Sequence, residues 1–310
     1  YAIFAELSRA FDDGRWEATG GLRYFHDNLL STQQSDFFGG GAGVIAPRKA
    51  NFERVTGRGV ITFKPNPDQM LYASVATGFR SGLNQAPAVT DLNFPSLNPD
   101  SLITYELGGK GRAAGGLLTY DLAVHYTRWK SVQQSLIVPL GFLARVNAGK
   151  ANGLGVDGSV TLRPGKGLSL TASVGWSGLE FDEDVVSGGL VLFGKGDRVN
   201  LSPQWTFSLG GDYRTPVTDD LELQLSADYS YRSNVSLRYL NGAALATTST
   251  GGLNSLKASV GIETGRWTVS LYGDNLLDNV NKVTPADLTF DNQSVRQRPR
   301  TFGVQASFKL

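Results

Sequence analysis

The sequence predicts an all-β chain, an antiparallel up-and-down transmembrane β-barrel segment of about 13 strands, and three observations predict it. The first is the closing stretch, where Phe302, Val304, Ala306, Phe308 and Leu310 alternate with Thr301, Gly303, Gln305, Ser307 and Lys309. That period of two puts apolar groups on one face and small or polar groups on the other. Chain ends normally fray, so an end this well patterned must be paired. The second is that connections between such stretches are short and long by turns. The third is aromatic spacing: Trp16 with Tyr24, and Trp205 with Tyr213, share a face eight residues apart. Eight residues of strand cover about 27 Å, which a tilt of roughly 40° projects to about 20 Å, close to the ~25 Å apolar band flanked by aromatic girdles in membrane barrels.

Residues 1–10 and 15–25 read as the first two strands, joined by a tight turn at Asp12, Asp13 and Gly14. Residues 27–49 have no period and read as a long loop. Residues 52–64 and 70–79 pair across Pro65, Pro67 and Asp68, because proline cannot donate to a ladder. A second long loop, 80–100, leads to 102–110 and 117–129. There Leu118, Tyr120, Leu122, Val124 and Tyr126 alternate with Thr119, Asp121, Ala123, His125 and Thr127. The same grammar gives 154–163 with 168–176, 205–214 with 221–231, and 253–263 with 267–275, before a loop to Gln297 reaches the closing strand. Short turns against loops of roughly twenty residues is the asymmetry of periplasmic turns and extracellular loops, and structureless loops that long are rare in compact soluble domains.

Composition is compatible with this reading. No run of eighteen apolar residues exists, which excludes a helical membrane span, while a mean hydropathy of −0.16 suits a barrel in which only alternate residues meet lipid. A net charge of +1 gives no reason to invoke nucleic acid, and the lack of cysteine removes thiolate metal sites and disulfides. No linker separates differently composed halves, so residues 1–310 read as one domain. The chain opens without methionine, charged leader or apolar h-region, so either a leader has been removed or Tyr1 begins in mid-protein.

Several stretches resemble the TonB-dependent outer-membrane receptors. Leu71 to Asn84, with Tyr72, Gly78, Phe79, Arg80 and Gly82, resembles the family's Y-A-S-x-x-x-G-F-R-x-G-x-x-N strand and loop start. Tyr105, Glu106, Gly108 and Lys110 resemble its Y-E-x-G-x-K strand, and Asn147 to Gly155 a further strand start. Asn275 to Asp278 with Arg298 to Gly303 resembles its last hairpin. The sequence departs from the family at Leu310, where an aromatic is usual, and at Asp157, near a usual Glu. The resemblance implies a barrel of about 22 strands with an N-terminal plug that carries the TonB box. This chain would then be the C-terminal part of the barrel, with the plug absent. It implies uptake of a scarce ligand, most often a ferric siderophore, energised through the plug and TonB. It also implies outer-membrane lipid as surroundings and the barrel assembly machinery as a partner of Phe302 to Leu310.

Inward charges carry further meaning. Asp121, His125, Arg214, Glu222 and Asp228 fall on the polar parity, so they are expected to face the lumen, in contact with a plug or simply solvated. Ligand recognition is expected from the long loops, with Arg80, Asn84, Phe94, Arg198, Arg238 and Tyr239 as candidates. Arginine can hold an anionic chelate bidentately, and aromatics can stack on catecholate or sugar rings. No cofactor or enzyme is expected. Gly153, Gly155 and Gly158 match G-x-G-x-x-G, yet residues 159–176 keep period two where a dinucleotide site needs a helix. His26 and His125 lack ligand spacing for zinc, Asp182 to Asp184 read as a solvated face, and no Ser/His/Asp arrangement appears. Two other classes stay open: a passive porin-like channel, and a soluble β-rich carbohydrate-binding domain.

Overall fold

The computed structural model describes all residues except 34–44, 86, 91–93, 139–142, 188, 242–243, 286–293 and 310. Thirteen strands follow one another in a single antiparallel wall. They are β1 Ala2–Phe11, β2 Trp16–Gln33, β3 Ile45–Asn66, β4 Gln69–Arg80, β5 Asp100–Ala113 and β6 Leu118–Lys130. Then come β7 Lys150–Gly165, β8 Leu168–Ser177, β9 Trp205–Thr218, β10 Leu221–Arg232, β11 Leu253–Thr264, β12 Trp267–Asp274 and β13 Thr301–Phe308. Each pairs with its sequence neighbours, so β1 and β13 each have one paired edge and run in the same direction. Leu310 lies outside the described residues.

The alternation of the sequence becomes the two faces of this wall. The exterior parity is apolar and bare, with Leu22 and Leu107 both 67% exposed. The interior parity is polar and laced across strands, as in the Ser8–Thr19 hydroxyl pair at 2.7 Å and the Arg58–Glu6 ion pair at 2.7 Å. Aromatics mark both rims of the exterior. Phe11 stacks on Trp16 and Trp16 meets Phe63 at a tilt beside the short turns, and the Trp267 ring centroid lies 4.7 Å from that of Phe308 at the same end. At the loop end Trp176 and Trp205 meet at 6.2 Å.

Every proline within the described wall strands stands where a ladder slips: Pro47, Pro65, Pro164 and Pro216 all fall at register shifts. The missing N–H is tolerated there because a bulge already leaves a residue unpaired. This moves one expected turn: β9 runs through Pro216 to Thr218, and the chain reverses at Asp219 and Asp220 rather than at 215–219.

Within the expected loop at 27–49, residues 27–33 and 45–49 are strand. β2 and β3 stay paired from Trp16↔Phe63 out to Gln33↔Ile45, while β3 and β4 part above Arg58↔Ala76. At the fork the Thr77 hydroxyl takes the place of a ladder partner, accepting from Gly57 N at 2.8 Å and donating to Gly57 O at 3.2 Å. About twelve residues of each strand therefore rise beyond the fork, roughly 40 Å of hairpin. Asn84 braces it, donating to Ser31 Oγ and Arg48 O at 3.2 and 3.3 Å.

The other long connections are also built rather than structureless. Residues 133–137 pair with 143–147, and 236–241 with 244–249; a parallel bridge between Ile137 and Tyr239 joins the two hairpins into one small sheet. A third hairpin pairs 185–187 with 190–193. Between them lies the buried hydrophobic core among the described residues: Val132, Leu136, Phe181, Leu192, Phe193 and Val199 are at most 7% exposed. The core of this molecule sits in its loops.

Candidate functional site

The interior face is the first part of the site, and two of the motifs meet there. Tyr72 on β4 donates from its hydroxyl to Glu106 Oε1 on β5 at 2.7 Å. Its ring lies over Gly108, where an added Cβ would stand 2.4 Å from ring atoms, so only glycine admits the tyrosine. Lys110 Nζ lies 5.6 Å from the same ring centroid and 3.3 Å from Asp121 Oδ2. Glu106, Gly108 and Lys110 are thus three parts of one socket for Tyr72, which explains their spacing of two. His125 Nδ1 stands 3.5 Å from Asp157 Oδ2, its ring over Gly155. Tyr72, Glu106, Lys110, Asp121 and Asp157 line one hollow of ≈ 680 Å³ on this face.

The remaining interior charges lie further along the wall and do not join that hollow. Glu222 stands opposite Glu263 across β10 and β11, and Gln224 donates to both, at 3.3 and 2.6 Å. Lys309 supplies Glu263 with a counter-ion. Arg214 faces Gln224, and Asp228 faces Lys257. The five polar-parity residues expected from the sequence therefore share a face, divided into two groups.

The second part is the loop cap, and it uses most of its candidate residues internally. Asp100, 1% exposed, accepts from Arg80 N at 2.9 Å, Arg80 Nε at 2.8 Å and Gln133 N at 3.2 Å. The Arg80 guanidinium also donates to Gln133 O at 3.0 Å and lies 4.7 Å from the Trp129 ring centroid. Arg80 is thus a clamp at the root of two loops. Phe94 is 7% exposed in the cap core and presents no ring to solvent. Arg238 pairs with Asp197 and lies 5.7 Å from the Phe193 ring, and Tyr239 carries the inter-hairpin bridge.

Arg198 differs. Its Nη1 and Nη2 are buried and meet no hydrogen-bond partner among the described residues. Burial holds its pKa below the ordinary guanidinium value, opposed by the Glu180 charge beside it. Trp129 Nε1 is another buried donor without an acceptor among the described residues. Unmet buried donors cost about 1–3 kcal/mol each, so they mark places where an acceptor is due. Trp129, Asp100 and Gln133 were not singled out in the sequence. Only the position of Asp100 at a strand start, opposite the motif arginine, signals them.

Comparison with known proteins agrees with this architecture. The sequence model "TonB dependent receptor-like, beta-barrel" matches residues 1–276. No match was found among curated proteins. Among solved structures, the ferric yersiniabactin uptake receptor FyuA from Yersinia pestis superposes with a TM-score of 0.76 at 22% identity, covering 99% of this chain and 45% of that one. The siderophore receptor PiuA and the ferric preacinetobactin receptor BauA, both from Acinetobacter baumannii, follow at TM-scores of 0.70 and 0.67, at 17% and 18% identity. They cover 94% and 99% of this chain, and 40% and 42% of theirs. The chain thus spans less than half the length of these receptors, and with the wall, its two faces and the interlocked motifs it belongs to the TonB-dependent receptor family, as part of the β-barrel.

Proposed function

We propose that this chain is part of an outer-membrane receptor that binds a scarce anionic iron chelate from outside and imports it in a TonB-dependent, energy-coupled fashion. The observation that carries the ligand class is Arg198, a half-buried side chain among the outer loops whose two terminal nitrogens are buried and unmet among the described residues. A carboxylate, catecholate or hydroxamate oxygen pair is the acceptor such a fork fits. Three neighbours in fold are described as receptors for iron chelates, which supports the same class.

The wall supports a larger whole. Thirteen antiparallel strands put β1 and β13 in the same direction, so closing them on each other would need a parallel seam. Single-chain bacterial barrels have even strand numbers. We read the chain as the C-terminal portion of a barrel completed by further strands. The interior charges Asp121, His125, Arg214, Glu222 and Asp228 would line its lumen and meet a plug, and β13 would be the strand offered to the assembly machinery. The protein acts as a receptor and not as an enzyme on this reading.

The test is uptake of radio-iron chelates by cells expressing the full receptor, with and without an uncoupler of the proton gradient. Energy-dependent uptake that Arg198→Gln weakens at least tenfold is the expected result. Uptake that persists after uncoupling would make the protein a passive channel.

A further inference from the structure

On the exterior of β6 the apolar parity runs Leu118, Tyr120, Leu122, Val124, Tyr126 and is then broken by Arg128 and Lys130. Leu118 to Tyr126 spans about 27 Å of strand, or about 20 Å along the membrane normal at a tilt of roughly 40°, so the two cations stand just outside an apolar band. The neighbouring strand changes character in register. Tyr126 faces Leu154, Arg128 faces Asn152, and Lys130 faces Lys150. Tyr126 ends the band with its hydroxyl donated to Asn152 Oδ1 at 3.3 Å, the amphipathic posture of an interfacial aromatic.

Two lysines directly opposite one another repel, and such a pair persists where an anion bridges it. Lys150 has Glu183 Oε2 at 3.5 Å. Arg128 and Lys130 are exposed and have no anionic partner among the described residues. Of the other acids at this level, Asp182 accepts from Asn152 at 3.0 Å, Glu53 lies 3.0 Å from His26, and Glu180, across Asn152 from Arg128, faces Arg198. Arg128 and Lys130 line an exterior hollow of ≈ 250 Å³ with Val55, Thr77 and Ile103, beside the fork where β3 leaves β4. Below it the wall is bare aliphatic surface, with Val124 51% and Leu107 67% exposed.

We propose that Arg128, Lys130 and Lys150 form a binding site on the outside of the wall for the phosphate headgroup of an anionic lipid, whose acyl chains lie along the aliphatic strip beneath. This rests on the membrane reading above. The site lies at the boundary between cations and apolar surface, which complements a phospholipid or phosphoglycolipid and offers a free anion only half its surroundings. It lies on the opposite face of the wall from the interior charges, so a lipid held here leaves the lumen untouched.

The test incorporates the detergent-purified full receptor into nanodiscs of zwitterionic lipid doped with a diphosphorylated diglucosamine lipid or its dephosphorylated counterpart. Lipid retained after extraction is counted by native mass spectrometry. The wild type should retain the phosphorylated lipid. The double variant R128Q/K130Q should hold it on the order of 30-fold more weakly, and K166Q, in the short turn between β7 and β8 at the other end of the wall, should match the wild type. Equal retention of the dephosphorylated lipid, or an unchanged double variant, overturns the proposal. Displacement by millimolar inorganic phosphate would assign the site to a free anion instead. Failure of the wild type to enter nanodiscs as a heat-modifiable barrel would overturn the membrane reading itself, a result separate from loss of lipid in a protein that does enter.

Discussion

Leu107 in the wall is 67% exposed and Leu136 in the cap is 0%, yet each sits where its surroundings favour it. The wall turns its apolar parity outward and its polar parity inward, and its backbone is satisfied strand to strand. The cap does the reverse, gathering Leu136, Phe181, Leu192 and Phe193 inward and leaving Glu183 and Lys195 at the surface. One chain is folded against two solvents, and the boundary between them runs through the strand ends. Backbone pairing is common to both regions, and the solvent alone decides which side chains must hide.

That comparison can be broken by substitutions that separate the regions. The largest expected effect is Phe193→Ala, which empties a fully buried site and should cost the cap about 4 kcal/mol. Hydrogen exchange should quicken across 133–147 and 236–249 while the wall amides stay protected. Quickening in β4 to β8 as well would show that cap and wall unfold as one unit. Next is Leu107→Arg on the exterior, expected to destabilise the inserted barrel by roughly 3 kcal/mol, a cost that should fall towards zero in detergent too fluid to impose a band. Denaturant midpoints in bilayer and detergent measure the difference; equal costs in both would mean that this face does not meet lipid.

Asp100→Ala follows. It strands the Arg80 guanidinium at the root of two loops, and should cost about 2 kcal/mol, less than a fully buried pair because the Arg80 side chain is 48% exposed. Protease nicking of 81–99 and 131–149 should rise with the barrel intact, and rescue by R80L in the same chain would confirm that the loss is an unpaired charge. The smallest is Gly108→Ala, at roughly 1–2 kcal/mol, because its methyl must displace the Tyr72 ring. Y72A combined with it should recover most of that cost. Additive losses would instead place the strain in the backbone.

The wall was legible because membrane and lumen impose a strict period of two, as in the run from Leu118 to Tyr126. It became illegible where that demand stops. β2 and β3 continue past the fork without a further wall strand beside them, and Asp27 to Gln33 carries no alternation and reads as loop. The cap core was illegible for a different reason: it takes one or two residues from each of several loops, such as Phe94, Val132, Phe181 and Val199, with no spacing that a linear reading could find. Among candidate residues, the parity argument placed Asp121 and Glu222 on the polar face. It had no means to show that Arg80 and Arg238 were already paired by Asp100 and Asp197, carboxylates about twenty and forty residues away in sequence.

The strand order also sets a sequence in time. Each wall strand pairs only with the next in the chain, so the wall can grow one hairpin after another, each closing a short loop before the following one begins. The cap has no such local route: Gln134 and Ser135 reach Asn200, 66 and 65 residues on, and Ile137 meets Tyr239 beyond that. Those contacts cannot form until the strands between them are in place and their loops have crossed to the far side. The surface proposed to meet the ligand is therefore the last part to mature, and a chain arrested midway through assembly would possess a wall but be blind to what lies outside.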